Sequence, residues 1–185
     1  DGQVVVHHDD ALRRPGATSS AIKIAEHSLA DLRLASEKEL PTLAQVLELV
    51  GHKARVWVEL KGQRIEREVV AVVRAGHSAC AIHAFDHRAI RRARELAPEI
   101  PYGVLLVSRP VDPVAVLRAA GATTLWQEWT LMDESLVRDI HATGGEVIAW
   151  TVNDLEVAGA LNVMGVDAIC TDRPARMHAA LRGID

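Results

Sequence analysis

The chain has 185 residues, of which 49% are apolar, enough for one domain with a sizeable buried core. Its 21 basic and 25 acidic residues leave a net charge of −4, which argues against nucleic acid as the main partner. No apolar run approaches the roughly 18 residues that a membrane-spanning helix needs, so an integral membrane segment is not expected. No signal peptide is visible within these residues. The expected location is the cytoplasm, a reducing compartment. The two cysteines, Cys80 and Cys170, are expected to be buried free thiols, with a disulfide as the alternative.

The first fifty residues predict little regular structure. The segment VVVHH, residues 4–8, predicts a short leading strand, and residues 11–50 predict loop and helix. Within them, PTLAQVLELV predicts a helix with proline at its first position, because proline has no N–H to lose there.

Six short apolar runs then follow, with starts about 21 to 24 residues apart. They are RVWVEL from Arg55, ACAIHAF from Ala79, YGVLLVS from Tyr102, TTLWQ from Thr123, EVIAWTV from Glu146 and DAICTD from Asp167. Helix-like stretches lie between them, several with aspartate at a capping position and glycine or proline at the end. Apolar strands that alternate with helices indicate a parallel sheet buried on both faces.

An open doubly wound sheet and a (β/α)8 barrel both fit six such units. No G-x-G-x-x-G motif follows an early strand, which weighs against a dinucleotide-binding sheet. Polar residues gather at the carboxyl ends of the runs, where (β/α)8 barrels carry their chemistry. They are Glu59, Lys61, Asp86, Ser108, Arg109, Gln127, Glu128, Asn153, Thr171 and Asp172. We therefore predict a single α/β domain over residues 1–185, of the (β/α)8 TIM-barrel type but incomplete at its N-terminal side.

A set of six ordered motifs resembles the glycerophosphodiester phosphodiesterase family. The motifs are VVVHHDDALRR, LPTLAQVLELV, VWVELKG, HAFDHRAI, VIAWTVND and ICTDRP, and they span nearly the whole chain. The family carries D-G-x-x-V-V-x-H-D, a P-T-L-x-x-x-L helix, a strand that ends in E-x-K, a later W-T-V-N and a closing T-D-x-P. Each motif is weak alone, but their joint order is specific.

The resemblance implies a barrel that hydrolyses glycerophosphodiesters to glycerol 3-phosphate and an alcohol, with one divalent cation, Ca²⁺ or Mg²⁺. It implies that His8 is one of two acid–base histidines and that Glu59 is one of three metal carboxylates. It further implies that Lys61 binds the phosphate and that Trp150 lines the pocket for the glycerol end. The family's H-R-G and E-x-D strands, which supply the other histidine and two carboxylates, have no counterpart in these 185 residues. We therefore expect impaired catalysis by this chain.

Each candidate residue also has a structural interpretation. Glu59 and Lys61 lie two apart at a strand end, and without the family pattern they predict a simple ion pair. His83 can contact phosphate or be a satisfied core histidine. Trp150 can pack on glycerol carbons or on the barrel rim. Asn153 can contact substrate, but a cap for the helix at Asp154 is favoured.

Two other functions stay open. The chain can be a non-catalytic partial barrel that binds a phosphate-bearing ligand or a protein partner, and its open edge would favour homo-oligomers. It can also be a related phospholipase that acts on a lipid phosphodiester. The sequence shows no obvious apolar loop for membrane binding, which weighs against that hypothesis.

Overall fold

The computed structural model describes residues 1–13, 21–36 and 39–181. Within these residues the fold centres on one parallel sheet of six strands, in which every neighbour in space is also a neighbour in sequence. The six strands are β3 (Val56–Glu59), β4 (Cys80–Ala84), β5 (Tyr102–Leu106), β6 (Thr124–Glu128), β7 (Glu146–Trp150) and β8 (Ala168–Ile169). All six coincide with the predicted apolar runs. The α/β prediction of the TIM-barrel type is confirmed.

Helices follow each strand and cover one face of the sheet. They are α3 (Glu66–Ala75), α4 (His87–Leu96), α5 (Pro113–Ala120), α6 (Glu134–His141), α7 (Leu155–Met164) and α8 (Pro174–Leu181). Four of them begin at the predicted aspartate caps, Asp86, Asp112, Asp133 and Asp154, whose carboxylates accept backbone N–H groups of the first turn. Gly121 and Gly165 end α5 and α7 at φ of +69° and +88°, a conformation that glycine adopts without strain.

The main core lies between the sheet and these helices. Alternate strand residues, such as Ile82, Val104 and Leu125, are fully buried there against helix residues, such as Ile90 and Leu136. Burial of this kind contributes about 1.5–3 kcal/mol for each large aliphatic side chain. The strands are therefore apolar on both faces because helices cover one face and the other turns inward.

The inward face of the sheet curls around an aromatic cluster. The rings of Trp57 on β3 and Trp126 on β6 have centroids 5.2 Å apart, although two strands separate them. In a flat sheet, strands three places apart would be separated by about 14 Å. His83 packs between them, with its ring centroid 4.3 Å from that of Trp126. The sheet therefore has the curvature of a barrel wall.

Gly103 leaves room for this cluster. A methyl group at Gly103 would lie 3.1 Å from the Cδ1 atom of Trp126 and 3.2 Å from the backbone oxygen of Thr124. The indole thus occupies the space that a side chain on β5 would otherwise take.

The N-terminal predictions need correction. VVVHH forms no strand of the sheet: Val5 makes a single antiparallel bridge to Thr42, with Val6 N–H donating to the Pro41 oxygen at 2.9 Å. Residues 4–6 lie beside the start of the helix Leu43–Val50 and form their backbone hydrogen bonds with Pro41 and Leu43. The 11–50 segment also contains a two-stranded antiparallel pair that the sequence did not predict, β1 (Ala11–Leu12) and β2 (Ile22–Lys23).

Two helices complete this segment, α1 (Leu29–Ala35) and α2 (Leu43–Val50). The prediction of an N1 proline in α2 was wrong. Thr42 is the N-cap in a reciprocal capping box with Gln45, which places Pro41 outside the helix. Among the described residues no helix is long and apolar enough to cross a membrane.

Candidate active site

The site begins at the carboxyl end of β3. Glu59 pairs with His83 in the register of β3 and β4, and Lys61 follows Glu59 by two residues. The Lys61 Nζ atom lies 3.7 Å from the Glu59 Oε2 atom, and the two side chains are 37% and 28% exposed. The ion pair is therefore loose and open to solvent, so it contributes little to stability by itself. Its charges are accessible to a ligand.

Lys61 also brings the His8 segment to the site. Its Nζ donates a hydrogen bond of 3.0 Å to the backbone oxygen of His8, which lies 53 residues earlier in the chain. The His8 side chain is 89% exposed, and its Nδ1 atom lies 2.8 Å from the Asp9 carboxylate. The hydrogen bond with His8 lowers the pKa of Asp9. Asp9 therefore orients the imidazole ring of His8.

A cleft of about 410 Å³ joins these groups. His8, Glu59 and Lys61 line it together with the β3 residues Trp57 and Val58. The structure thus brings together three of the five residues predicted for the site.

His83 lies below this group and is 6% exposed. Its ring packs against Trp57 at 5.6 Å and Trp126 at 4.3 Å, and its Nδ1 atom has no hydrogen-bond partner among the described residues. Burial, and secondly the positive charge of Lys61, lower the pKa of His83 to about 4. At neutral pH His83 is therefore an uncharged ring beneath the cation of Lys61. The alternative that His83 is a core histidine with all its hydrogen bonds made is therefore wrong, because its Nδ1 atom has no partner among the described residues.

Trp150 ends β7 and is half-buried. Its ring contacts that of Phe85, which follows β4, at a centroid distance of 5.5 Å. Its Nε1 atom is buried without a hydrogen-bond partner in the described part of the chain. Trp150 also packs against the buried cluster that contains Trp126.

The favoured role for Asn153 was wrong. Asp154 caps α7, while the Asn153 Oδ1 atom accepts hydrogen bonds from the Thr171 hydroxyl at 3.0 Å and the Asp172 N–H at 2.9 Å. Its Nδ2 donates to the Asp172 carboxylate at 2.8 Å. Asn153 therefore fastens the loop after β8 to the loop after β7.

The sequence analysis did not place Trp57 and Trp126 beside the site, where Trp57 lines the cleft and Trp126 packs against His83. The relevant signal was period-two spacing: Trp57 lies two residues before Glu59 on the same strand face, and Trp126 two residues before Glu128.

Cys80 is buried and Cys170 half-buried, and both are free thiols. Cys80 and Cys170 therefore do not form a disulfide.

The described residues do not by themselves form a site for the cation that the resemblance implies. They contain no group of three or more histidine, cysteine, aspartate or glutamate side chains placed to hold a metal ion. Of the described residues that line the cleft, Glu59 alone is acidic. One carboxylate supplies at most two hard oxygen ligands, whereas Ca²⁺ takes about 6–8.

Buried His83 predicts a loss of stability in mild acid. Its pKa is about 4 in the folded chain against an ordinary value of 6.5, so between these values the unfolded chain binds more protons. The free energy of unfolding should thus fall as pH drops through 6.5. We expect a loss of about 2 kcal/mol from this group between about pH 7 and about pH 5.

Urea unfolding at the two pH values checks this prediction. His83→Phe keeps a ring between the tryptophans and should remove most of that pH dependence. His77→Gln changes an exposed histidine and should leave it unaltered. Equal pH dependence in wild type and His83→Phe would contradict the prediction.

The curled parallel sheet, with charged groups at the carboxyl ends of its strands, is typical of an enzyme of the TIM-barrel class. Sequence comparison agrees. The family model for the glycerophosphoryl diester phosphodiesterases matches residues 1–176. The chain belongs to this family and is a phosphoric diester hydrolase.

Individual relatives cover most of the chain. YhdW of Bacillus subtilis is 30% identical in an alignment 197 positions long, which covers 94% of this chain and 79% of that protein. The glycerophosphodiester phosphodiesterase of Caldanaerobacter subterraneus is 26% identical and covers 98% of this chain and 82% of its own length. A phosphodiesterase of Oleispira antarctica, solved with its product sn-glycerol 3-phosphate, superposes with a TM-score of 0.82. It shares 26% identity over 98% of this chain and 80% of its own.

Proposed function

We propose that this chain hydrolyses glycerophosphodiesters to glycerol 3-phosphate and an alcohol. The observation that carries the proposal is the cleft that His8, Glu59 and Lys61 share, in a chain of this family. The product found in the Oleispira antarctica relative supports a small-molecule substrate of the same type.

Each residue has a proposed role that follows from its chemistry. Lys61 offers an exposed ammonium beside the cleft, which suits the charge that builds on phosphoryl oxygens during hydrolysis. His8, oriented by Asp9, protonates the alcohol oxygen as it leaves. Uncharged His83 offers a ring nitrogen to the phosphate from below, and Trp150 packs its ring on the glycerol carbons.

Product release tests this function. Glycerophosphocholine incubated with the protein should yield sn-glycerol 3-phosphate, detected by a coupled dehydrogenase assay. His8→Ala should lower the rate by about 100-fold or more, because general acid catalysis is typically worth that much. His52→Ala, at an exposed turn remote from the cleft, is the control. Choline phosphate as the product, or an undiminished rate in His8→Ala, would contradict the proposal.

Glu59 is proposed as one ligand of Ca²⁺ or Mg²⁺. With one carboxylate in the cleft, the 185-residue polypeptide should bind Ca²⁺ more weakly than about 1 mM, and its turnover should be slow. Calorimetric titration with each cation measures this directly. Tight binding that survives Glu59→Gln would show that another residue set holds the cation.

The non-catalytic alternative rests on the sheet edges. Among the described residues β3 pairs with β4 alone and β8 with β7 alone, so both edges present unpaired backbone groups. We propose that such edges allow two copies to associate. Sedimentation velocity should then show dimers whose fraction rises with concentration, whereas a monomer at all concentrations would count against this.

The cytoplasmic location and the single-domain extent of residues 1–185 stay predictions.

A further inference from the structure

A second cleft, of about 410 Å³, adjoins the candidate site. Residues from the first ten positions, from 24–27 and from 61–68 line it, and we call it the outer cleft. Lys61 lines both the outer cleft and the cleft that His8 and Glu59 share. The two clefts therefore meet at the residue that is proposed to bind phosphate.

The outer cleft adjoins the proposed position of the leaving alcohol. A phosphodiester has two ester arms, and the glycerol arm is proposed to pack on Trp150 of β7, four places from β3 in the sheet order. The outer cleft lies instead beside the loop after β3 and includes Asp9, whose carboxylate orients His8. Because His8 is the proposed acid for the leaving oxygen, the alcohol arm starts next to the outer cleft.

The lining of the outer cleft is acidic. Its described side chains include four carboxylates and two permanent cations, which are Asp1, Asp9, Asp10 and Glu68, and Lys61 and Arg64. The Lys61 ammonium lies 3.7 Å from the Glu59 carboxylate and is proposed to bind phosphate, so its charge acts there. Negative charge therefore prevails around the alcohol arm.

Two of these carboxylates, Asp10 and Glu68, are available to a ligand. Both are exposed, and neither forms an ion pair with a described residue. Lys23 lies near Asp10 but is itself paired with Glu26 at 3.0 Å. A cation in the outer cleft would therefore meet carboxylates that are not already compensated.

Aliphatic side chains line the same cleft. Val4, Val5, Ile24 and Ile65 are half-buried there. Carboxylates attract a positive charge, whereas methyl groups are stabilised when they leave water against aliphatic side chains. A quaternary ammonium group suits both features, because its positive charge lies inside a shell of methyl groups.

We propose that the outer cleft binds the alcohol part of the substrate and selects an alcohol that carries a positive charge, with choline as the type. This inference rests on the proposed function and adds the substrate class. Neutral alcohols of the same size would make the aliphatic contacts but gain nothing from the carboxylates.

Two esters of the same shape test the proposal. Glycerophosphocholine is compared with glycerophosphoneohexanol, in which a carbon atom replaces the nitrogen of choline and removes its charge. Each is titrated against the protein by calorimetry in EDTA, which removes the divalent cation that the proposed reaction needs. Glycerophosphocholine should bind about tenfold more tightly, since a carboxylate about 4 Å from a positive charge in water is worth about fivefold and salt screens part of the attraction.

A double variant assigns this preference to the outer cleft. Asp10→Asn with Glu68→Gln should reduce the preference to about threefold or less and leave the affinity for glycerophosphoneohexanol unchanged. Asp139→Asn with Glu95→Gln is the matched control, because it removes the same two charges from exposed helix positions outside the cleft. That control should keep the full preference.

The outcomes separate the inference from the proposed function, which release of sn-glycerol 3-phosphate tests independently. Equal affinity for the two esters, or a full preference in the Asp10 and Glu68 double variant, would overturn the inference and leave the proposed function standing. If neither ester binds and neither releases sn-glycerol 3-phosphate, both fail. If the choline ester binds more tightly but no sn-glycerol 3-phosphate forms, the proposed function fails and the assignment of the outer cleft holds.

Discussion

Replacing Trp126 by alanine should lower the free energy of unfolding by about 3–5 kcal/mol, the range found for large aromatic residues in cores. Trp126 is 7% exposed, and its ring contacts both Trp57 and His83. Gly103 has no side chain to fill the space that the indole would leave. The cavity would therefore open inside the curled sheet, where the strands cannot readily close on it.

Urea denaturation followed by circular dichroism measures the loss. Trp129→Ala is the matched control, because it removes the same side chain from a half-buried position on the neighbouring turn. We expect that control to lose less than half as much. A loss of under about 1 kcal/mol for Trp126→Ala would mean that the aromatic cluster adds little to the fold.

Replacing Lys61 by methionine should weaken binding of sn-glycerol 3-phosphate by about 10- to 100-fold, the effect of losing a charge-assisted hydrogen bond. Methionine keeps much of the stem, so packing changes little. The change also removes the 3.0 Å hydrogen bond to the His8 oxygen, while residues 4–6 keep their backbone contacts at Pro41 and Leu43. Calorimetry with the product as ligand makes the test independent of turnover.

Two controls separate this role from that of a plain ion pair. Lys53→Met removes an exposed lysine from the turn before β3, at the far end of the strand, and should leave the affinity unchanged. Lys61→Arg keeps the positive charge and should retain part of the affinity. If Lys61→Met binds the product as tightly as the wild type, Lys61 does not bind phosphate and only forms an ion pair with Glu59 at the end of β3.

The periodic part of the fold followed directly from sequence. The six strands and the four aspartate caps lie where the apolar runs and capping residues predict them, because burial pattern and capping are local properties of the chain. The N-terminal segment was less predictable. VVVHH has strand-like composition, but its backbone partners are at Pro41 and Leu43, and only tertiary contact decides between a bridge and a sheet strand.

The same division holds for the candidate site. The motifs around His8, Glu59 and Lys61 determined the family, and family membership is confirmed. Sequence could not show that Lys61 bonds to the His8 backbone, because that contact joins segments 53 residues apart. Nor could it show that Trp57, His83 and Trp126 meet, since strand alternation fixes a face but not which faces curl together. The sequence by itself thus determined the repeating units, the class of chemistry and the charged groups. The curvature of the sheet decided which of these side chains lie together, which are buried and uncharged, and which remain exposed at the mouth of the cleft.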